Sequence, residues 1–398
     1  MINYFVSISL VLLTLTGCEL HFDSEKIKGS GKFITVQRPV SAFTSIENNS
    51  FFQVIVTSGD KDELEITGDD NLVPEVETVV EEQRLIIRNK NKAYSFTWKN
   101  NPGTIKISAA HLQSVENGGS GDIELRGIDT DKLALKSYSS GDIKASGKVQ
   151  SLNLINNGSG DVDLGHLSVN QAEIDMNSSG DVGMNSIQQA LKLKLNGSGD
   201  FHADGLQESA VNLLLQGSGK VKLRGLVKEL KAETDGSGDL DIEGIKVSDA
   251  SLQLNGSGDV SLSGEAETLT ITVNGSGDVE AKDLHTKTVV LKNQGPADLR
   301  FNIDQNLKAE LSGSGDLKVT FNNANKIELL MNGPGNSSLS GTADNLSAKV
   351  NGSGDLNAHD LLLRSASIKV TGPSEAEVNV KQANGSRVVR IDRNGVNN

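Results

Sequence analysis

Eleven aspartates recur at one place in this chain: Asp122, Asp142, Asp161, Asp181, Asp200, Asp239, Asp259, Asp278, Asp298, Asp316 and Asp355, eight of them directly after Gly-Ser-Gly and the rest after its variants. Lys220, Asn336 and Glu375 hold the same place in other copies. Stacked in a column, neighbouring carboxylates near 4.8 Å repel by about 0.9 kcal/mol in water. Bound cations or turn hydrogen bonds would offset that cost. A calcium ladder needs nonapeptide spacing so that facing turns share an ion, and Lys220 interrupts the column, so the aspartates read as turn caps rather than metal ligands. The histidines His111, His166, His202, His285 and His359 fall at unrelated places and give no ligand spacing. Repeated Gly-Ser-Gly is not a phosphate loop, which must open a helix. Neither a metal nor a cofactor is expected. A polysaccharide-cleaving site would need a local cluster of carboxylates with Arg or Lys; the only dense carboxylate column is the regular one. Tyr94, Phe96 and Trp98 alternate along YSFTW. They read either as a stacking platform for sugar rings or as packing under a cap.

What must position these residues is a repeat. Successive copies of the marker lie 18 to 20 residues apart, mostly alternating 20 and 19, which is the sign of a stacked array. Each repeat holds two apolar strands: in DVSLSG, Val260 and Leu262 share a face, and in LTITV so do Leu269, Ile271 and Val273. So few inward side chains cannot offset the ordering of twenty residues, and each repeat must be stabilised by the copies above and below. Gly at 42 of 398 residues, with 4% aromatics, suits thin coils filled by Val, Leu and Ile. Twenty residues make a contour of about 65 Å, and strands of successive coils lie ~4.8 Å apart. The expected fold is all-β, a right-handed parallel β-helix of fourteen coils.

The turns carry the next expectation. Gly256-Ser257-Gly258-Asp259 and Gly275-Ser276-Gly277-Asp278 fit β-turns with the second glycine at positive φ. Pro334 in the serine position supports this, because proline presets the preceding φ of a type II turn. GPAD at 295 and GPSE at 372 lack the second glycine and should differ locally. The Asp carboxylates should accept N–H groups of the turn, and the preceding Asn residues, such as Asn255 and Asn274, should stack as an amide ladder. Alternation of long and short repeats makes a pair of coils the effective unit.

The chain divides into five parts. Residues 1–17 read as a lipoprotein signal peptide, with the apolar run YFVSISLVLLTL and the box LTGC ending at Cys18, the single cysteine. Cys18 would be acylated, and residues 18–28 form a tether. Residues 29–115 lack the turn motif but have strong strand patterning and form an N-terminal cap; PEVETVVEEQ from Pro74 reads as helix or strand. Residues 116–384 are the repeat, and 385–398 an end in which Arg387, Arg390 and Arg393 discourage end-to-end stacking. The net charge of −14 argues against nucleic acid. Membrane contact therefore falls to the anchor. Glu19 rather than Asp favours the outer membrane.

With these residues in hand, the chain resembles the head GIN domain family of auto-transporter adhesins. The resemblance rests on Gly29-Ser30-Gly31, then Arg38, Val40, Phe43 and Ile46, ITGDDNL at 66–72 and RLIIRN at 84–89. It spans roughly residues 29 to 395, with more coils than members commonly carry. It implies a β-helix on an exported or anchored protein and no catalytic residues. The expected function is non-catalytic adhesion or envelope contact, with glycans or surface proteins as partners. The rivals are a structural or stress-related envelope protein without a ligand, and a polysaccharide-cleaving enzyme.

Overall fold

The computed structural model describes residues 26–91, 95–98 and 102–397. The signal segment, Cys18 and Tyr94 lie outside the described residues. Among the described residues there is no α-helix, and so none long and apolar enough to cross a membrane.

The repeat winds as a parallel β-helix of thirteen coils, from Ile123–Ser137 to Leu356–Val370. Each strand bends round the coil and pairs in parallel with the next, as Leu240–Leu254 does with Val260–Val273. Six side chains of that second coil point inward and are buried: Val260, Leu262, Ala266, Leu269, Ile271 and Val273. Ala266 marks a short middle side between the two strands that the apolar pattern makes plain.

Coils with strands of 15 and 14 residues alternate, as in Leu240–Leu254, Val260–Val273 and Val279–Asn293. The difference is absorbed at one corner. Ile128, Leu206, Ile245 and Phe321 of long coils lie in register with Gly147, Gly225, Gly264 and Gly341 of the short coils that follow. These four glycines have φ of 125°, 120°, 124° and 100°, a region that any Cβ makes costly. A large apolar side chain thus alternates with a glycine at this corner, so the pair of coils is the packing unit.

Both ends depart from the repeat. Ser45–Asn49 and Gln53–Ser58 already form a coil, parallel to Ser114–Asn117 and to the start of Ile123–Ser137. Between them and the repeat the chain makes an excursion that closes the N-terminal end with antiparallel strands. Glu63–Asp69 pairs with Phe33–Arg38 and Gly103–Ala109, and Val76–Glu81 pairs with Arg84–Asn89. The stretch after Pro74 is one 3-10 turn, Val73–Glu75, followed by that strand.

At the other end Glu375 opens no fourteenth coil. Ala376–Gln382 covers only the first part of Leu356–Val370, then folds back antiparallel on Gly385–Asp392. The count of fourteen is corrected to thirteen because this hairpin replaces the last turn. Arg390 of the hairpin lies 3.6 Å from Glu377.

Candidate functional site

The Gly-Ser-Gly turns stack into a ridge, and their geometry corrects the expected turn type. None of Gly256, Gly258, Gly275 and Gly277 has φ in the left-handed region. Glycine is required here by close approach. A Cβ on Gly258 would lie 2.0 Å from the carbonyl oxygen of Gly238, and one on Gly277 1.9 Å from that of Gly258. The backbones of successive turns touch, joined by bonds such as Ser257 N–H to Gly236 C=O at 3.0 Å.

The aspartates are used between coils rather than within a turn. Asp259 N–H donates to Asp239 Oδ1 at 3.0 Å, Asp278 N–H to Asp259 Oδ1 at 2.9 Å and Asp298 N–H to Asp278 Oδ1 at 2.9 Å. Asn336 serves equally well, its Oδ1 accepting from Asp355 N–H at 3.0 Å. Lys220 N–H donates to Asp200 Oδ1 at 2.7 Å and its carbonyl accepts from Phe201 N–H at 2.9 Å, but its side chain has no acceptor oxygen to offer the Asp239 amide. Beside this column runs the amide ladder, with Asn274 Nδ2 donating to Asn255 Oδ1 at 2.8 Å and Asn351 Nδ2 to Asn332 Oδ1 at 3.0 Å. Among the described residues no three His, Cys, Asp or Glu side chains gather as a metal site.

Phe96 and Trp98 do share a surface, and it is the underside of this ridge. Both rings stack on Phe51, with centroids 4.4 and 5.4 Å away and planes within 27° and 14°. The register places Phe51 under Ser120 and Phe52 under Gly121. The aromatics therefore cap the first turn, where no earlier coil crowds the column. Trp98 remains 37% exposed. Tyr138, which sequence reasoning passed over, stands 47% exposed in the column that continues as Asn157 and Asn177. Its signal was an aromatic in a position otherwise held by small or amide residues.

A second surface lies on the strand that ends each coil. A shallow groove of about 620 Å³ crosses the coils from Ser151 to Asp249 on this side, and another of about 530 Å³ continues from Thr270 to Lys349. Together they touch every coil from Ile143–Asn156 to Ser337–Val350. The first stretch is lined by amides and charges of both signs, including Lys192 paired with Glu173 at 2.7 Å. The second has more apolar lining, with Val290 38% exposed and Leu330 half-buried two coils further on. Sequence reasoning missed these two residues, although TVVLK and IELLM break the strict alternation, as LNLIN and NLLLQ also do.

Part of the charge on the rod is paired at the surface. Arg126 donates twice to Glu124, at 2.7 and 2.6 Å, and holds that carboxyl below its usual range. Glu328 is likewise held low by Lys326, 2.5 Å away. Among the described residues no histidines gather as a metal site; the ring of His359 lies 3.3 Å from Glu377.

The family described as "Putative auto-transporter adhesin, head GIN domain" matches residues 42–190, 172–262, 236–322 and 314–389. No curated protein matches the chain. Among solved structures the chain is similar to a "putative adhesin" from Bacteroides fragilis, at 18% identity, over 79% of this chain and 99% of that one, with a TM-score of 0.27. It is similar to a "putative lipid binding protein" from Parabacteroides distasonis, at 17% identity over 79% and 99%, with a TM-score of 0.31. A "putative adhesin" from Parabacteroides merdae aligns at 16% identity over 86% and 99%, with a TM-score of 0.30.

Proposed function

The chain belongs to the head GIN domain family, and from that premise we propose that it is a non-catalytic envelope protein, lipid-anchored through Cys18, that makes adhesive contacts along its sides. The observation that carries this reading is the groove on the strand that ends each coil. Its two stretches run over eleven successive coils, from Ile143–Asn156 to Ser337–Val350, a length of roughly 50 Å at ~4.8 Å per coil. A surface of that kind suits an extended partner gripped at many weak points rather than a small substrate held in a closed pocket. Catalysis concentrates unusual groups in one place, whereas the one dense column of carboxylates on this rod is spent on inter-coil bonds.

The lipid anchor rests on LTGC alone. Two or more acyl chains would hold the protein stably at a membrane, and the short tether would keep the N-terminal end near it. The outer membrane is the favoured location because residue 19 is Glu.

Two measurements test the proposal. Cys18→Ala should release the protein to a soluble fraction; retention in washed membranes would remove the anchor. A glycan array and a pull-down from envelope extract should give saturable binding without release of oligosaccharide fragments. Fragment release would make the protein an enzyme, and no binding to either would favour a purely structural role. A Trp98→Ala variant separates the aromatic cap from the groove, and binding is expected to survive it.

A further inference from the structure

The second stretch of the groove differs from the rest of the rod in charge. A lysine faces outward on each of five successive coils: Lys292, Lys308, Lys326, Lys349 and Lys369. Register fixes their neighbours. Lys292 lies against Glu310, which lies against Leu330, then Lys349, then Lys369; Val290 lies against Lys308, then Glu328, then Ser347. Lys326 is neutralised by Glu328. Lys292, Lys308, Lys349 and Lys369 make no ion pair among the described residues, and Glu310 is the one carboxylate between them without a partner of its own. In a protein of net charge −14, this is a local surplus of cations in the more apolar stretch of the groove.

Resting on the surface-contact reading above, we infer that this stretch binds an acidic polysaccharide, a chain of sugars bearing uronate carboxylates. The C–H face of one pyranose ring fits the exposed Val290 side chain, and a later ring of the polymer fits the half-buried Leu330, two coils further on. Hydroxyls at the ring edges meet Thr270, Thr272 and Ser347, which line the same groove. Carboxylates recurring along the polymer meet lysines recurring along the rod, about 4.8 Å apart from coil to coil. Each exposed pair contributes little, so affinity comes from several contacts made at once.

Other anionic partners fit less well. An acyl chain needs a deep apolar sheath to bury its methylenes, at about 0.8 kcal/mol each, and two side chains on an open floor do not supply one. Nucleic acid presents a charge every 1.7 Å or so, denser than the lysines and repelled by the acidic rest of the rod. A peptide strand would need a free sheet edge, and both edges of these strands are paired from Val279–Asn293 to Ser337–Val350.

The test uses residues 19–398 as a soluble protein and three uronate polymers as probes: polygalacturonate, alginate and hyaluronate, each beside its carboxyl-reduced neutral form. The expected result is binding to at least one acidic polymer, weakened at least tenfold by carboxyl reduction and by the triple variant Lys292→Gln, Lys308→Gln, Lys349→Gln. The control variant Lys144→Gln, Lys148→Gln, Lys318→Gln, at exposed lysines outside the groove, should bind as the wild type does. Thermal unfolding of each variant shows that the fold is intact. Envelope binding that persists in the first triple variant, with no uptake of any uronate polymer, overturns the inference and leaves the adhesive reading standing. Equal binding to the reduced polymers, or to anionic phospholipid vesicles in preference to the polymers, also overturns it. Absence of binding to uronates and to envelope extract alike removes both.

Discussion

The backbone amide of Asp259 donates to the carboxylate of Asp239, one coil below, at 3.0 Å. That bond recurs along the column, and it explains why an acidic side chain is kept at a position where like charges crowd. Each carboxylate serves the amide of the next coil and needs no metal to do so. Asp259→Asn should therefore change stability little, as Asn336 already does the same work. Asp259→Ala should cost about 1 kcal/mol, the usual worth of one hydrogen bond. Lys220→Asp should restore the missing rung to Asp239 and raise stability by a similar amount. Urea unfolding with and without a chelator checks both points; a midpoint that falls sharply on chelation would return the column to calcium.

At the ridge the two turn positions are coupled. Gly258→Ala forces a methyl against the Gly238 carbonyl and should destabilise by roughly 2 to 3 kcal/mol. Ser257→Pro removes the bond from Ser257 N–H to Gly236 C=O, at about 1 kcal/mol. Yet the chain carries Pro296-Ala297 in these columns, with Ala297 buried. The double variant should cost less than the sum of the singles, and a strictly additive cycle would show that proline does not make room for the methyl.

Coils should be removable in pairs but not singly. Deleting residues 239–277 takes out one long and one short coil, so the alternation at the corner is kept. Deleting 239–258 alone would set Gly225 beside Gly264, with no Ile245 between them, and leave a void where a large side chain belongs. The single deletion should be less stable than the double by about 2 kcal/mol or more, measured by thermal unfolding of the two shortened proteins.

The corner glycine itself is the position that needs positive φ. Gly264→Val, at φ 124° and with the Ile245 carbonyl oxygen 2.2 Å from its Cβ, should destabilise by at least 2 kcal/mol. Gly127, which also has positive φ but meets nothing within 4 Å, should tolerate alanine at a cost nearer 1 kcal/mol.

Glu124 gives a pH signature. Its folded carboxyl titrates below the ordinary value of about 4.3, chiefly because Arg126 donates to it. The small stability it adds is present above that ordinary value and lost as pH falls through the lowered one. In Arg126→Ala the Glu124 carboxyl should titrate at higher pH, as followed by NMR.

Sequence alone determined the period, the strands and the inward side chains, because a coil that must bury the same faces again and again has to repeat them in its letters. Val260, Leu262, Leu269, Ile271 and Val273 could be placed inside before any coordinate was seen, and the alternation of 20 and 19 residues announced the pairing of coils. Tertiary structure decided what the letters left open. Whether Gly258 is there for its φ or for the carbonyl above which it sits depends on a neighbour twenty residues away. The same holds for Asp259, whose partner lies in another coil rather than in its own turn. The coil at Ser45–Ser58 was hidden because it has no repeat coil beneath it, so Phe51 and Phe52 could replace serine and glycine and erase the motif. The lysines lie one to a coil, with Val290 in the coil of Lys292, dispersed through the sequence, and become a surface only when stacking brings successive coils to about 4.8 Å.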